Sequence, residues 1–502
     1  MPFNSIFSWL IKKRIHQIDL FKKYPSEVQQ DVFKTIISKA IHTEWGKKYQ
    51  FKDISSYSEF AQNVPLGNYE TFSPFIQRQL KGEANILWEK EVKWFAKSSG
   101  TVSAKSKFIP VTKDSLYDCH YKGGKDLLGI YYNQIEDAKF YKGKMLGIGG
   151  SATGNSMAHG TYFGDLSAIL VENMPWWAEF RRTPSKEIAL MDEWEEKIEK
   201  LAQSTIHEDV TAIAGVPSWT LVLCNRVLEI TGKKHLREVW PNLELFSHGG
   251  VSFEPYRAEF KKLIPFEDMH YLETYNASEG FFGIQDNLSK PDLLLMLDYG
   301  IFYEFIPMDS YRGLASENVI PLSEVELNTN YALVISTNGG LWRYVVGDTL
   351  KFTSLLPYRF LVTGRTKSFI NAFGEELIVE NAERAIAFAC SKTKAQVKDY
   401  TVAPLFMKEG QKGAHEWLIE FNTAPNDLDE FLLILDSSLQ SLNSDYEAKR
   451  QNNMSLQPPI IRIANPSTFE KWLKTKGKLG GQHKVPRLNN NRKVFEEIIA
   501  LN

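Results

Sequence analysis

The chain has 502 residues, and 59 Lys and Arg against 61 Asp and Glu leave a formal charge of −2. Hydrophobic residues at 43% and charged residues at 24% are ordinary for a globular protein. The near-neutral balance excludes a chain whose main task is coating nucleic acid. Its length fits either about three domains or one large domain with a smaller partner.

Cys119, Cys224 and Cys390 lie far apart, with no C-x-x-C and no Cys/His cluster. Neither a disulfide framework nor a structural zinc site is supported, and a reducing compartment is expected. No apolar run reaches the roughly 18–20 residues of a membrane span; the longest, Leu293 to Met308, is interrupted by Asp298 and Glu304. Lys12, Lys13 and Arg14 follow the first apolar run, the reverse of a secretory leader. A cytoplasmic protein with no membrane partner is expected.

The first fifty residues carry a helical pattern, with Val28, Val32 and Ile36 and then Phe33, Ile37 and Ile41 recurring at i+4. Val92 to Ala96 and Lys107 to Val111 read as strands flanking a Ser98-Ser-Gly-Thr loop. Between about 140 and 350, strand-like runs (Met145–Ile148, Ala212–Ala214, Leu243–Phe246, His270–Thr274) alternate with helical ones (Glu193–Ala202, Trp219–Ile230, Tyr256–Leu263). That alternation predicts an α/β domain with a largely parallel sheet. Leu293–Leu297, Tyr303–Ile306, Tyr331–Thr337 and Trp342–Val346 then read as a smaller β region. After Gly364-Arg365 the pattern becomes α+β: helix Val379–Ala389, strands Tyr400–Leu405 and Trp417–Phe421, helix Leu428–Leu442, strand Ile460–Ile463 and helix Thr468–Lys474.

Five segments carry chemistry. Lys97 to Lys107 packs five hydroxyls, one glycine and three lysines into eleven residues. Such a loop donates to phosphate oxygens and neutralises their charge, although the same composition suits a solvated hairpin. Glu273-Thr-Tyr-Asn-Ala-Ser-Glu-Gly280 follows a strand; a carboxylate there suits Mg²⁺ against phosphates and Tyr275 suits a base, or the segment is a plain turn. Trp342-Arg-Tyr-Val-Val-Gly-Asp348 places a carboxylate where a ribose diol can donate to it. Phe360 to Lys367 puts Arg365 at the domain boundary, and Lys471 to Lys493 holds eight basic residues and no acid. Gly147-Ile-Gly-Gly-Ser-Ala152 has dinucleotide-fingerprint spacing, but no helical periodicity follows it, so a Rossmann site is not supported.

The order of these motifs resembles the adenylate-forming superfamily and, within it, the Gretchen Hagen family of acyl acid amido synthetases, over essentially the whole chain to Gln482-His-Lys-Val-Pro-Arg487. The resemblance implies a large N-terminal adenylate-forming domain (1–363, α/β sheets plus a β region) and a smaller mobile C-terminal α+β cap (364–502). It implies a ligase using ATP and Mg²⁺ that adenylates a small carboxylic acid and passes the acyl group to an amino acid amine. Carried over, Ser98, Ser99, Gly100, Thr101 and Lys107 match the first phosphate loop. Tyr275, Ser278 and Glu279 match the second motif, with Glu279 the expected Mg²⁺ ligand. Gly249 matches the adenine-side loop, Asp348 the ribose aspartate, Arg365 the hinge and Lys484 the lysine that reaches the α-phosphate. Val102 and Ala104 depart from the family's usual Ser and Gly. Two alternatives stay open: the same adenylation followed by transfer to coenzyme A, and nucleotide binding without catalysis.

Overall fold

The computed structural model describes all residues except 1, 100–105, 136–137, 151–154, 157–159, 192, 367–368, 409–410, 452–455 and 477–484; for 2–12, 99, 155–156, 176–177 and 194 it describes the backbone alone. The chain opens with helices Pro2–Lys23 and Pro25–Ala40, then shorter ones at Glu44–Lys48, Tyr57–Asn63 and Tyr69–Leu80. Phe33, Ile36 and Ile37 of the second helix are buried, and Val28, Val32 and Ile41 pack beside them, as the i+4 pattern predicts.

A four-stranded sheet follows, built from β1 (Trp94–Ser99), β2 (Ser106–Val111), β4 (Asn155–Ser156) and β5 (Tyr162–Gly164). The hairpin β1–β2 is antiparallel, with Ser98 opposite Lys107. Ser98 and Ser99 therefore belong to the strand, not to the loop the sequence suggests: the run of backbone pairing from Trp94 continues through the polar residues because the ladder is made by main-chain groups that every one of these residues carries.

The central feature is one sheet of twelve strands in the order β13-β12-β14-β15-β16-β11-β10-β9-β8-β7-β3-β6. Its parallel half consists of β3 (Lys144–Gly147), β6 (Arg182–Thr183), β7 (Val210–Gly215), β8 (Leu245–His248) and β9 (His270–Ala277). The other half, β10 (Gly280–Ile284), β11 (Leu293–Leu295), β12 (Ile301–Pro307), β13 (Ile320–Pro321), β14 (Asn330–Thr337), β15 (Tyr344–Leu355) and β16 (Tyr358–Arg365), is antiparallel. The smaller β region expected from sequence is thus continuous with the α/β sheet. The join is β9, which pairs in parallel with β8 and in antiparallel with β10. Ser278 and Glu279 form the two-residue turn between β9 and β10, so the second motif sits where the sheet changes character.

The acids that interrupt the apolar run 293–308 are paired. Asp298 accepts from Arg14 and Lys122, and the fully buried Glu304 accepts from Arg343. Charges are tolerated inside this core because each has a partner.

The C-terminal part is smaller: the two-stranded β17 (Phe369–Ile370) and β18 (Leu377–Ile378), and the three-stranded sheet β19 (Gln396–Leu405), β20 (Ala414–Thr423), β21 (Ile460–Ile463). Helices Val379–Thr393 and Leu428–Leu442 pack against each other on it. It shares an apolar core with the parallel half, in which Leu146, Ile213, Trp240 and Phe246 belong to the same buried cluster as Phe373, Leu377, Trp417 and Leu435. Tyr256 packs edge-on to Phe406 with ring centroids 5.9 Å apart and donates its hydroxyl to the Ala372 carbonyl. No helix among the described residues is long and apolar enough to cross a membrane.

Candidate functional site

Asp348 lies early in β15, and its register partner across to β16 is Arg365. The Arg365 guanidinium donates through Nε to Asp348 Oδ1 at 2.7 Å, while the Tyr275 hydroxyl, arriving from β9, donates to Asp348 Oδ2. Both charged side chains are mostly covered, Asp348 at 13% and Arg365 at 19% exposure. Burial opposes the charge on Arg365, but Glu376 and Asp348 outweigh it and hold the guanidinium protonated. Burial and the Asp348 charge both keep the Tyr275 hydroxyl protonated, so it acts as a donor. Tyr275 is a hydrogen-bonding anchor for Asp348, with its ring against Phe282 and Phe360. Each carboxylate oxygen retains a second lone pair, so Asp348 can still accept from a diol.

Glu279 occupies the β9–β10 turn and is half-buried. Burial pushes its carboxyl above the usual range, Lys107 pulls it back, and Glu376 and Asp348 push it up again. The first and second motifs, far apart in sequence, therefore meet through Lys107 and Glu279. Ser278 is half-buried beside Glu279 in the same turn, and Ser98 is half-buried opposite Lys107. Gly249 follows β8 and presses on the second motif: a Cβ there would fall 2.5 Å from the Thr274 carbonyl oxygen, so only glycine fits. Gly100, Thr101 and Lys484, with Val102 and Ala104, lie outside the described residues, as does the side chain of Ser99.

Glu376 is the residue the sequence reading missed. Its carboxylate lies 3.4 Å from Arg365, it takes φ +40, and its carbonyl accepts from Asn443. The only signal for it was an acid pair, Glu375-Glu376, soon after the boundary. A second missed group flanks Gly249. His248 is 4% exposed, stacks on Phe253 at 4.1 Å, and has an Nδ1 with no hydrogen bond. Burial, aided by Arg257, pushes its imidazole down to about 3. Its register neighbour Glu273 has a carboxyl that burial pushes up to about 7 against the pull of Arg257. Among the described residues no cluster of three or more metal-ligating side chains occurs.

Three family models cover the chain in sequence: the GH3 family N-terminal domain over residues 14–269, its central domain over 294–365 and its C-terminal domain over 380–493. The chain belongs to the GH3 family. Among similar curated proteins, the indole-3-acetic acid-amido synthetase GH3.4 of Arabidopsis thaliana is 24% identical, covering 95% of this chain and 91% of its own length. The 4-substituted benzoates-glutamate ligase GH3.12 of the same plant is 22% identical, with 93% and 94% covered. Among solved structures, the GH3.15 acyl acid amido synthetase superposes with a TM-score of 0.60 at 17% identity, covering 97% of this chain and 95% of that one. A 2-hydroxyisobutyryl-CoA ligase in complex with its acyl-adenylate and CoA gives 0.57 at 11% identity, with 95% and 92% covered. This GH3 member therefore has the mixed α/β fold of those ligases, with a large N-terminal and a smaller C-terminal domain.

Proposed function

We propose that this protein is an ATP-dependent acyl acid amido synthetase, a ligase that forms a carbon–nitrogen bond through an acyl-adenylate. The observation that carries the reading is the convergence of Tyr275, Asp348 and Arg365 in one hydrogen-bonded unit, with Glu279 and Lys107 electrostatically coupled beside it. Membership of a family whose relatives are named as amido synthetases supports it. In the first half-reaction a substrate carboxylate attacks the α-phosphorus of ATP and pyrophosphate leaves. In the second, an amino acid amine attacks the acyl carbon and AMP leaves. Catalysis of this kind needs alignment and charge neutralisation more than covalent help from the protein.

Each residue has a part in that scheme. Asp348, its orientation fixed by Tyr275 and Arg365, accepts from the ribose hydroxyls. Lys107 and Ser98 face the phosphates from the β1–β2 hairpin, and Gly100 and Thr101 are assigned to the same phosphates. Gly249 lets the backbone close on the base. Glu279 suits Mg²⁺, which when bound would neutralise phosphate charge; burial holds its carboxyl above the usual range, and Lys107 pulls against that. Lys484 is assigned to the α-phosphate. Support comes from the segment just after it, which is fixed to β19: Val402 N–H donates to the Arg487 carbonyl at 2.8 Å and Asn489 N–H to the Val402 carbonyl at 3.0 Å. Residues 364–502 form the moving domain in this reading, with Arg365 at the hinge.

The acid is proposed to be small and aromatic, in keeping with relatives named for indole-3-acetic acid and 4-substituted benzoates. A cytoplasmic site of action is proposed from the two buried free thiols, Cys119 and Cys224, and the absence of any Cys pairing among the described residues. The test is acid-dependent ATP–pyrophosphate exchange over a panel of carboxylic acids, followed by a screen of acids against amino acids and coenzyme A with products read by mass spectrometry. Exchange and amide products are expected. Thioester products alone, or no exchange with any acid, would overturn the reading.

A further inference from the structure

The loop between β17 and β18, residues 371–376, is where the C-terminal domain meets the base-side glycines. It is pinned from within. The fully buried Glu375 carboxylate accepts from the Ala372 and Phe373 N–H groups at 3.0 and 2.6 Å, and His415 Nε2 of β20 lies 2.8 Å from it. The Glu376 N–H donates to Asn371 Oδ1 at 3.4 Å, closing the loop on itself. Two groups of the N-terminal domain then hold it from outside. The Tyr256 hydroxyl donates to the Ala372 carbonyl, and the Gly250 carbonyl accepts from Asn371 Nδ2 at 3.1 Å. Gly250 follows Gly249 at φ +82, so this bond falls on the same turn that presses on Thr274.

Asn490 grips the loop from the other side. Its Oδ1 accepts from the Asn371 N–H at 2.7 Å, and its Nδ2 donates to the Phe369 carbonyl at 3.2 Å. One side-chain amide thus satisfies main-chain groups on both sides of Ile370, as a neighbouring strand would. Asn490 is itself held, because the preceding Asn489 donates its N–H to the Val402 carbonyl and its Nδ2 to Thr401 Oγ1 at 2.9 Å. The chain from Val485 to Asn490 therefore moves with the C-terminal sheet.

The two faces of that sheet have different neighbours. Val485, the residue after Lys484, is 3% exposed and buried with Ala403, Leu418, Phe469, Trp472 and Phe495, all of the C-terminal domain. Val402 and Trp417, which alternate with Ala403 and Leu418 along β19 and β20, enter the cluster shared with Leu146, Ile213 and Phe246 of the N-terminal domain. Val485 is thus anchored on the face turned away from the N-terminal domain, and loop 371–376 on the side turned toward it.

We propose that Asn371 and Asn490 are positioning residues for the amide step: together they clamp the base-side loop to the C-terminal domain and hold this domain arrangement for the second half-reaction. The inference rests on the synthetase reading and adds which half-reaction this arrangement serves and what fastens it. Adenylation asks for Lys484 at the α-phosphate, so the sheet that anchors Val485 must turn, and Asn371 leaves Gly250 as it does. The amide step asks for no group from that segment. The clamp bonds are exposed, so they bias the equilibrium between arrangements by a modest factor and do not lock it.

The test uses the full chain and separates the half-reactions. Acid-dependent ATP–pyrophosphate exchange reports adenylation, and rapid mixing of preformed enzyme-bound acyl-adenylate with an amino acid reports the amide step. Asn371→Ala is expected to slow the amide step about tenfold while exchange stays within about twofold of wild type or rises. Asn490→Ala should behave alike, the double variant should be no slower than either single one, and Asn490→Asp, which keeps the acceptor for the Asn371 N–H, should recover part of the loss. The melting temperature should barely move, because the bonds are on the surface. Equal losses in both half-reactions, an unchanged amide step in both alanine variants, or a loss confined to exchange would overturn the clamp while leaving the synthetase reading intact. Absence of exchange in the wild type with any acid would instead overturn the synthetase reading itself.

Discussion

Two neighbouring groups of charged residues, one on each side of Arg365, are built on opposite principles. On the proposed nucleotide side, Asp348 sits within one continuous sheet and both its oxygens are met by donors, Tyr275 and Arg365. Beyond Arg365, Asp445, Asp165 and Glu376 are gathered from separate segments, and burial pushes the Asp445 carboxyl up to about 7. The first arrangement is rigid and satisfied before substrate arrives, which suits a ligand common to every turnover. The second mixes acids with Lys449 and Lys97 from separate segments, so tertiary packing and not one sheet holds it together.

The comparison breaks hardest at Asp348. Asp348→Ala takes the acceptor from the Tyr275 hydroxyl and leaves Arg365 with Glu376 alone at 3.4 Å, and losing one partner of a buried hydrogen-bonded charge costs about 1–3 kcal/mol. Exchange at limiting ATP is expected to fall on the order of 10²–10³, with the melting temperature falling alongside; exchange within a few-fold of wild type would contradict the preorganised role. Lys484→Ala is expected to lower exchange on the order of 10² while ATP affinity, read by calorimetry, stays within a few-fold. Glu279→Gln sharpens the picture between the halves: the Mg²⁺ concentration for half-maximal exchange should rise about tenfold, and an unmoved titration would remove the metal assignment.

The smallest expected effect is on stability. The Glu273 carboxyl is raised by burial to about 7, above its unfolded value, so the folded protein binds more protons in between and stability falls as pH rises from the ordinary carboxylate range to about 7. Glu273→Gln should therefore raise the melting temperature at pH 8, by an amount on the order of 1–3 kcal/mol in stability, and change it little at pH 4. Equal shifts at both pH values would show that Glu273 is not titrating in this window.

The proposed nucleotide side is assembled from residues in short motifs whose local pattern survives in one sheet: Tyr275 precedes a hairpin turn that Glu279 occupies, and Asp348 and Arg365 are register partners on neighbouring strands. The helices Leu428–Leu442 and Val379–Thr393 were legible for the same local reason. Continuity of the twelve-stranded sheet was not, since β9 switches from parallel to antiparallel pairing without any change in its own composition. Nor was the bond from Tyr275 to Asp348, which spans 73 positions and turns a suspected stacking ring into an anchor. Glu376 and Asp445 were invisible because single acids in a loop and on a short helix have no pattern of their own; only tertiary packing makes them neighbours of Arg365 and Lys97.

The packing of Tyr256 against Phe406, with its hydroxyl on the Ala372 carbonyl, has a thermal consequence. If residues 364–502 turn between half-reactions, these rings and Phe373 part and meet water on every cycle. Exposed apolar surface carries a positive heat capacity. The domain step would then bend the Eyring plot of turnover, while pyrophosphate exchange within one domain arrangement would stay straight, so a thermometer alone can tell which half of the cycle contains the turn.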